Sequence, residues 1–354
     1  MSKADFSQKE TKAASDAVQT KSGMPKKTLA LVAIGGLLTF LAGFAVIGYA
    51  TLNYLYVKMP NKPKQMQVFE VRKGSGLSRI ASDLKAEGLI DNALIFKLIT
   101  KVRGNEANFK AGEFSLSRAS SMEEIYNTLA EGKAILYPFT APEGLTSAQI
   151  LRLMAGVESL RNDEPAIPAE GTLLPETYMT PRAMTYSELV ADMQRAQTRL
   201  IDSLWEGRQA DLPISTKQEA IILASVVEKE TGIGGERNEV AGVFINRLRR
   251  GMRLESDPTI IYGITQGEPL GRGIRRSEID RKTDWNTYQI DGLPKTAICN
   301  PGAEAIKAVL NPAETDALYF VADGTGGHAF AKTLKGHQRN VAKWRKIERA
   351  RKKK

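Results

Sequence analysis

Two carboxylates near the end of one predicted helix have the clearest chemical potential in this sequence. Residues 217–231 (KQEAIILASVVEKET) show helical periodicity and contain Glu228 and Glu230. At about 100° per residue, Glu230 falls between Leu223 and Val226 in the apolar stripe, whereas Glu228 falls on the polar side. An apolar setting and a helix C-terminus both disfavour an ionised carboxylate. The pattern therefore predicts that Glu230 stays protonated near neutral pH, as a general acid requires.

A structural role for the same glutamate is also compatible with its position. In that interpretation Arg237 or Arg247, which both follow within the next predicted helix, forms a salt bridge with Glu230 at the edge of the core. The spacing alone does not decide between an acid catalyst and a buried ion pair.

The segments after this helix are rich in side chains that hydrogen-bond sugars. A glycine-containing turn precedes a second helix, which begins near Glu236 and ends at Gly251. We expect Asp257-Pro258-Thr259 to form a turn and residues 260–262 to form a strand. Further turns follow at 286–288, 292–294 and 300–302. Asn, Asp, Thr and Tyr in such loops suit a glycan site, although each is also a common turn former.

These motifs together closely resemble the endolytic murein transglycosylases of the YceG-like family. The resemblance covers residues 28 to 342, through the runs LASVVEKET (223–231), VFINRL (243–248), DPTIIYG (257–263), NTY (286–288), GLP (292–294), NPG (300–302) and YFVADG (319–324), with Gly327-His328 after them. It implies that Glu230 is the catalytic residue. It also implies a substrate groove formed by six other residues, namely Asn246, Asp257, Thr259, Tyr262, Tyr288 and Asn300.

Two departures from the family pattern fall close to this expected groove. The chain has Glu255 where the family often has Gln, and Lys295-Thr296 where Pro-Gly often follows the conserved proline. Neither change affects Glu230, but Glu255 adds a carboxylate whose effect on substrate preference the sequence does not reveal.

The resemblance implies non-hydrolytic cleavage of the β-1,4 bond between N-acetylmuramic acid and N-acetylglucosamine in nascent peptidoglycan strands. One carboxylate is enough for this reaction, since the O6 hydroxyl of the muramic acid closes a 1,6-anhydro ring, and no metal or cofactor is expected. Each cut would end the growth of a strand, alongside membrane-bound glycan synthases (penicillin-binding proteins) and the division or elongation machinery. Two alternatives stay open: a hydrolase that uses Asp257 or Glu255 as a second carboxylate, and a peptidoglycan-binding scaffold without catalytic activity.

A long segment without charge predicts a membrane anchor. Residues 28–57 contain no charged side chain, and their most apolar part, 29–52, would span about 36 Å as a helix. Six lysines precede the segment and three follow within ten residues, so the positive-inside rule places the N-terminus in the cytoplasm. The apolar run is much longer than that of a cleaved signal peptide. We therefore expect a single-pass protein with its body outside the cytoplasm, and the resemblance implies that the membrane is the bacterial inner membrane and that the body is periplasmic.

The net charge of +10 comes from the two ends of the chain. Residues 1–27 contain six lysines and three acids, and residues 343–354 contain eight Lys or Arg and one acid. Residues 28–342 carry 36 basic and 36 acidic side chains, a balance that argues against nucleic-acid binding. With a single cysteine, Cys299, and two histidines, the chain has little material for disulfides or metal sites.

The resulting prediction is an α+β protein with one transmembrane helix and two extracytoplasmic units. The smaller unit has the predicted order strand, two helices, strand and helix, with a cap at Asp91 and a capping box at Ser121 and Glu124, and it resembles a LysM-type module. The larger unit is a mixed α/β catalytic domain. The expected segments are a disordered cytoplasmic tail (1–27), an anchor (28–57), a linker (58–66), the module (67–136), the catalytic domain (137–342) and a basic tail (343–354).

Overall fold

The computed structural model describes residues 25–58, 60, 62–104, 109–232 and 234–351. It divides into two compact units, an N-terminal unit that ends at Lys133 and a C-terminal unit that begins at Ala134. Most of the predicted cytoplasmic tail, up to residue 24, lies outside the described residues.

The N-terminal unit contains four helices and one two-stranded sheet in its described part. Its elements are α1 (Lys26–Val57), β1 (Met66–Val71), α2 (Leu77–Ala86), α3 (Ala93–Val102), β2 (Gly112–Ser117) and α4 (Met122–Glu131). After α1, this is the predicted order of strand, two helices, strand and helix.

Helix α1 exposes its apolar side chains along almost its whole length. Among the described residues it is the one helix long and apolar enough to cross a membrane, and none of its most apolar window is buried. A helix that is apolar on all sides and does not pack against protein is typical of a membrane span.

The end of α1 packs into the small module that follows it. Tyr56 is fully buried, with its ring 6.2 Å from that of Phe96 in α3, and the Arg103 guanidinium lies 4.9 Å from the centre of the Tyr56 ring. The last turn of α1 is therefore part of the core of the N-terminal unit.

The module is built on an antiparallel pair of strands covered by helices. β1 and β2 pair from Met66 opposite Ser117 to Val71 opposite Gly112. The capping box that Ser121 and Glu124 form at the start of α4 confirms the prediction made from their spacing. The predicted cap at Asp91 is wrong, because the side chain of Asn92 accepts the first free amides of α3 and Asp91 instead pairs with Lys62.

The C-terminal unit is mainly helical, with short two-stranded sheets. Its elements are β3 (Leu136–Thr140), α5 (Ser147–Met154), β4 (Leu160–Arg161), β5 (Thr177–Pro181), β6 (Met184–Thr185), α6 (Tyr186–Trp205), α7 (Lys217–Glu230), α8 (Arg237–Arg249), α9 (Asp257–Thr265), α10 (Arg276–Ile279), α11 (Ala303–Leu310), β7 (Tyr319–Ala322), β8 (His328–Ala331) and α12 (Leu334–Arg351). The pairs β3–β5 and β7–β8 are antiparallel, and β4–β6 is parallel.

Helix α7 is the centre of this unit, with α8 and α11 packed against it. All of its residues from Ala220 to Val227 are buried. The predicted polar side is therefore wrong: Ser225 is fully buried and the Glu228 side chain is only 6% exposed. The reason is tertiary, since the segment before α11 covers this side and the Ile298 amide donates to Ser225 Oγ.

Residues 257–265 form helix α9 and not the predicted turn followed by a strand. Pro258 lies in the first turn, where its missing N–H costs nothing, and Asp257 complements the helix dipole there. The β-branched pair Ile260-Ile261 suggested a strand, but Thr259, Ile260 and Tyr262 are buried against neighbouring elements and this packing overrides propensity.

Candidate active site around Glu230

Glu230 is the last residue of α7, and its carboxyl group lies in a largely desolvated position. Its pKa is raised from the ordinary 4.5 to about 7, mainly by burial and in smaller part by the nearby Asp257 carboxylate. A hydrogen bond from Ser256 and the proximity of His328 act in the opposite direction. The predicted carboxyl group with a raised pKa is thus present, and the dominant cause is the predicted one, desolvation.

Ser256, in the loop before α9, touches this carboxyl group directly. Its hydroxyl donates to Glu230 Oε1 at 2.5 Å. Ser256 is buried, and a chain of hydroxyls holds it: its amide donates to Thr287 Oγ1 at 2.9 Å, and its carbonyl accepts from Thr259 Oγ1 at 2.6 Å. Thr259 and Thr287 are themselves 2.9 Å apart through their hydroxyls. This buried hydrogen-bond network holds Ser256, the hydrogen-bond partner of Glu230, in place.

The backbone conformation of Glu255 directs the chain into the position of Ser256. Its φ of 51° lies in the left-handed region, which is unusual for a residue other than glycine. Its amide donates to the Thr287 carbonyl, and its carboxylate accepts from Arg247 at 2.9 Å. These bonds stabilise a strained residue immediately before Ser256.

Glu230 opens onto a cavity of about 500 Å³. Asp257 and Tyr288 line it, and the Tyr288 hydroxyl donates to Asp257 Oδ1 at 2.8 Å. Burial, with the adjacent Asp257 carboxylate, raises the pKa of Tyr288, so the phenol stays protonated and remains a donor. The other lining residues are Arg247, Leu254, Glu255, Tyr319, Phe320, Val321, Leu334 and His337.

Arg247 connects several segments of the cavity wall. Its guanidinium donates to the carbonyls of Leu318, Arg253 and Leu254 at 2.7 to 3.2 Å and lies 5.1 Å from the centre of the Tyr319 ring. The ring of His337, from α12, stacks on the ring of Tyr319, with the two ring centres 5.3 Å apart. The site residues inferred from the sequence did not include Ser256, Tyr319 or His337. Ser256 could have been found from the sequence, because it directly precedes the predicted groove residue Asp257.

The salt bridge considered as an alternative for Glu230 is not formed with either arginine. Arg237 pairs with Glu228 at 3.4 Å and Glu143 at 3.6 Å, and Arg247 pairs with Glu255. Glu228 also accepts from the Gly302 amide at 3.0 Å. The two acids near the end of α7 therefore differ in their partners. The Glu228 carboxylate contacts the Arg237 guanidinium and the Gly302 amide, whereas the Glu230 carboxyl group contacts the Ser256 hydroxyl and lines the cavity.

Three of the six predicted groove residues lie close to Glu230. Asp257 and Tyr288 line its cavity, and Thr259 lies one layer behind through its bond to the Ser256 carbonyl. Asn246 has a different environment, since its amide donates to the carbonyls of Thr315 and Ala317 at 2.7 and 3.2 Å.

Tyr262 and Asn300 belong to a second polar cluster around Glu170. Asn300 is fully buried: its Oδ1 accepts from the Leu173 amide, and its Nδ2 donates to Leu145, Ser147 and Glu170. Burial raises the pKa of Glu170 to about 7. Burial, with a smaller contribution from the nearby Glu170 carboxylate, raises the pKa of Tyr262 to about 12. In the described part of the chain, Asn246, Tyr262 and Asn300 are not among the residues lining the Glu230 cavity.

His328 approaches the site from the β7–β8 hairpin in a fixed orientation. Its Nδ1 lies 2.8 Å from Glu236 Oε2, and its backbone amide donates to Glu236 Oε1 at 3.0 Å. The carboxylate of Glu236 thus holds both the backbone amide and one ring nitrogen of His328.

The chain matches known proteins over most of its length. The model of the YceG-like family matches residues 69–343. An endolytic murein transglycosylase from Streptococcus pneumoniae is 29% identical over 86% of this chain and 64% of its own length. A protein of the same name from Bacillus subtilis is 28% identical over 77% of this chain and 83% of its own. A crystal structure of a yceG-like protein from Listeria monocytogenes is similar at a TM-score of 0.48 and 27% identity, covering 78% of this chain and 99% of that one.

Proposed function

The chain belongs to the YceG-like family, and we propose that it is an endolytic lytic transglycosylase of peptidoglycan. The observation that carries the proposal is the environment of Glu230, a carboxyl group with a pKa of about 7 that opens onto a cavity and has a hydroxyl as its partner. The names of the relatives from S. pneumoniae and B. subtilis support it. The chain spans about 64% of the length of the pneumococcal relative.

In the proposed reaction, Glu230 acts first as an acid and then as a base. The protonated carboxyl group gives its proton to the glycosidic oxygen between N-acetylmuramic acid and N-acetylglucosamine, and the bond from that oxygen to C1 breaks. The ionised Glu230 then takes the proton of the muramic acid O6 hydroxyl, and O6 bonds to C1 to form the 1,6-anhydro ring. Atoms balance without water, and the nucleophile comes from the same sugar, which supplies a proximity advantage.

The neighbours of Glu230 have separate parts in this scheme. The Ser256 hydroxyl holds Oε1 and stabilises the carboxylate that forms after proton donation. Asp257 adds to the effect of burial in raising the pKa of Glu230, and Tyr288 lines the same cavity. We assign Asp257 and Tyr288 to direct substrate contact.

The other four predicted groove residues are proposed to shape the site from behind. Thr259 supports Ser256, Tyr262 packs on Trp285 with ring centres 5.6 Å apart, and the amides of Asn246 and Asn300 hold neighbouring carbonyls. We assign this role to the four residues because their side chains contact other protein groups.

The location and domain organisation are proposed from the anchor helix and the segment pattern. We place α1 in the bacterial inner membrane, with residues 1–27 in the cytoplasm and the catalytic domain, 137–342, in the periplasm. The module of residues 67–136 is proposed to be LysM-like and to contact peptidoglycan. Proposed partners are glycan strands, membrane-bound glycan synthases and the division or elongation machinery, with each cut ending the growth of a strand.

A hydrolase is the second candidate, and Asp257 is the observation that favours it. This carboxylate is close enough to Glu230 to raise its pKa, as a second carboxylate of a glycosidase would be. A hydrolase releases reducing ends that are heavier by one water than anhydro ends, so product mass separates the two reactions.

The test uses the full chain in detergent with purified glycan strands and mass spectrometry of the products. The chain with Glu230→Gln is the catalytic variant, and Glu228→Gln is its matched control on the same helix. Anhydro ends from the unchanged chain, retained with Glu228→Gln and absent with Glu230→Gln, are the expected result. Reducing ends would indicate the hydrolase, whereas strand binding without any cleavage would indicate a scaffold.

A further inference from the structure

A second cavity lies in the N-terminal unit, at the point where helix α1 ends. It has a volume of about 430 Å³, and it is lined by Leu55 in the last turn of α1 and by Lys58 directly after that helix. The other lining residues come from the module that follows, namely Pro60, Leu89, Ile90, Asp91, Asn92, Ile95, Ser120 and Met122. We call this space the α1 cavity.

The α1 cavity combines buried apolar side chains with a single lysine. Three of its lining residues are buried and apolar, namely Leu89, Ile90 and Met122. Lys58 is exposed, and in the described part of the chain it forms no ion pair. The carboxylate of Asp91, which also lines the cavity, is already paired with Lys62 at 2.6 Å. An anion that reaches the cavity therefore meets an ammonium group whose charge is not neutralised by a described carboxylate.

Helix α3 continues the apolar lining of the α1 cavity onto the surface of the module. Leu94, Leu98 and Val102 are 59%, 39% and 66% exposed. At about 100° per residue, these three side chains and Ile95, which lines the cavity, fall within an arc of about 100°. We call the three exposed residues the α3 stripe. An exposed apolar stripe that adjoins an apolar cavity indicates contact with another apolar body.

The level of the α1 cavity in a bilayer follows from the length of the uncharged run. As a helix, residues 28–57 are about 45 Å long, which exceeds the hydrocarbon core of about 30 Å and matches a bilayer with both headgroup layers. With Lys27 at one surface, Lys58 then falls in the headgroup layer of the other. The last turn of α1 packs on α3, since the ring of Tyr56 lies 6.2 Å from that of Phe96. This contact holds the α1 cavity at the level of the lipid headgroups.

We propose that the α1 cavity and the α3 stripe bind a glycerophospholipid of the leaflet in which α1 ends. Its phosphate contacts Lys58, and the upper part of an acyl chain packs against Leu55, Ile95 and the α3 stripe. The inference rests on the proposed membrane location of α1. Lipid is favoured over a glycan or a protein as the occupant, because lipid surrounds α1 at this level and because both an anion and an apolar chain are accommodated. The module is thereby a second membrane contact, in addition to α1.

The first test measures the depth of α3 in a bilayer. The single native cysteine is removed by Cys299→Ala in the full chain. A fluorophore is then attached through Leu98→Cys, through Leu38→Cys in the middle of α1, or through Ser115→Cys on the open face of the β1–β2 sheet. Vesicles of phosphatidylethanolamine and phosphatidylglycerol contain a lipid with a nitroxide quencher, placed either close to the headgroup or near the end of the acyl chain.

We expect the fluorophore at position 98 to be quenched by the shallow nitroxide, that at position 38 by the deep nitroxide, and that at position 115 by neither. Quenching at position 38 without quenching at position 98 would overturn the proposal and leave the membrane location of α1 intact. Absence of quenching at both positions would contradict that location as well. Equal quenching at positions 98 and 115 would also overturn the proposal, since it would not distinguish the α3 stripe from the rest of the module. None of these outcomes depends on cleavage of a glycan strand.

The second test identifies the lipid and its contact with Lys58. Native mass spectrometry of the full chain, released from the same vesicles in mild detergent, measures the fraction that retains a phospholipid. Lys58→Gln should lower this fraction about fivefold, the effect of losing one ion pair at a partly exposed site. Lys85→Gln is the matched control, since it removes an exposed lysine of α2 that does not line the cavity, and it should leave the fraction unchanged.

Retention that is unaffected by Lys58→Gln, or lowered equally by Lys85→Gln, would refute the contact between the phosphate and Lys58. A competition with added polyprenyl phosphate separates the two sources of a lipid phosphate by mass. Retention of the glycerophospholipid supports the proposal, whereas its replacement by the polyprenyl phosphate would refute the choice of occupant.

Discussion

The hydroxyl of Ser256 donates to Glu230 Oε1 at 2.5 Å, across 26 positions of the sequence. This bond opposes the effect of burial on the Glu230 pKa, because it stabilises the ionised form. In the proposed reaction Glu230 first gives and then accepts a proton, and the two opposing influences serve both steps because they keep its pKa at about 7.

Removal of this bond should raise the pKa of Glu230. With Ser256→Ala, we expect the decline of kcat/KM on the alkaline side to move upward by about one pH unit, since a hydrogen bond to a charged group is worth about 1.5 kcal/mol or more. The measurement is the pH profile of anhydro-product formation. Ser225→Ala is the matched control, as it removes another buried serine hydroxyl, which donates to the Ile222 carbonyl. An equal shift with Ser225→Ala would contradict the assignment.

Substitution of Asp257 should move the same profile in the opposite direction. The Asp257 carboxylate raises the pKa of Glu230, so with Asp257→Asn the alkaline decline should begin at a lower pH, by less than about one unit. Glu255→Gln is the comparison: this residue lines the same cavity but pairs with Arg247. A shift with Glu255→Gln as large as that with Asp257→Asn would show that the effect is not specific to Asp257.

The raised pKa of Glu230 should also be visible in stability. The folded state binds this proton more tightly than the unfolded state, so the contribution of Glu230 to stability falls as the pH rises from about 4.5 to about 7. The loss is about 3 kcal/mol from the shift of the pKa. The Tm of Glu230→Gln relative to the unchanged chain should therefore increase between pH 4.5 and pH 8 in thermal unfolding. A difference in Tm that is independent of pH would argue against a titrating Glu230.

Asn300 should matter for stability more than for catalysis. Its side chain is fully buried and bonds to Leu173, Leu145, Ser147 and Glu170. Asn300→Ala leaves several of these groups without a partner, and we expect the free energy of unfolding to fall by about 2–4 kcal/mol. Tyr288→Phe, at the cavity, should instead lower kcat/KM with little change in Tm. The reverse pattern would place Asn300 in the substrate groove.

Tyr56 should stabilise the N-terminal unit although it belongs to the long apolar helix α1. Its fully buried ring packs near Phe96 and under Arg103, so Tyr56→Ala should cost about 3 kcal/mol. Hydrogen exchange by mass spectrometry should become faster in residues 66–133. Tyr54→Ala, which removes a ring that is 63% exposed on the same helix, is the control. The three tryptophans, Trp205, Trp285 and Trp344, all lie in the C-terminal unit, so their fluorescence transition should not change.

Local features of the sequence were enough to determine several elements of this protein. The charge-free run predicts α1 because length and composition alone decide whether a helix can span a bilayer. The capping box at Ser121 and Glu124 predicts the start of α4, since its partners are three residues apart. The position of Glu230 at the end of α7 follows from helical periodicity in the same way.

The tertiary structure alone decided which groups meet. Ser225 and Glu228 are buried because a segment more than 70 residues away covers the side of α7 that looks polar in the sequence. Residues 257–265 form a helix because burial of Ile260 and Tyr262 outweighs β propensity. The contact of Ser256 with Glu230 depends on the packing of two distant segments, which no local spacing encodes. The sequence thus predicted the position of Glu230 and the long apolar helix α1, whereas long-range packing decided the hydrogen-bond partner of Glu230 and the shape of its cavity.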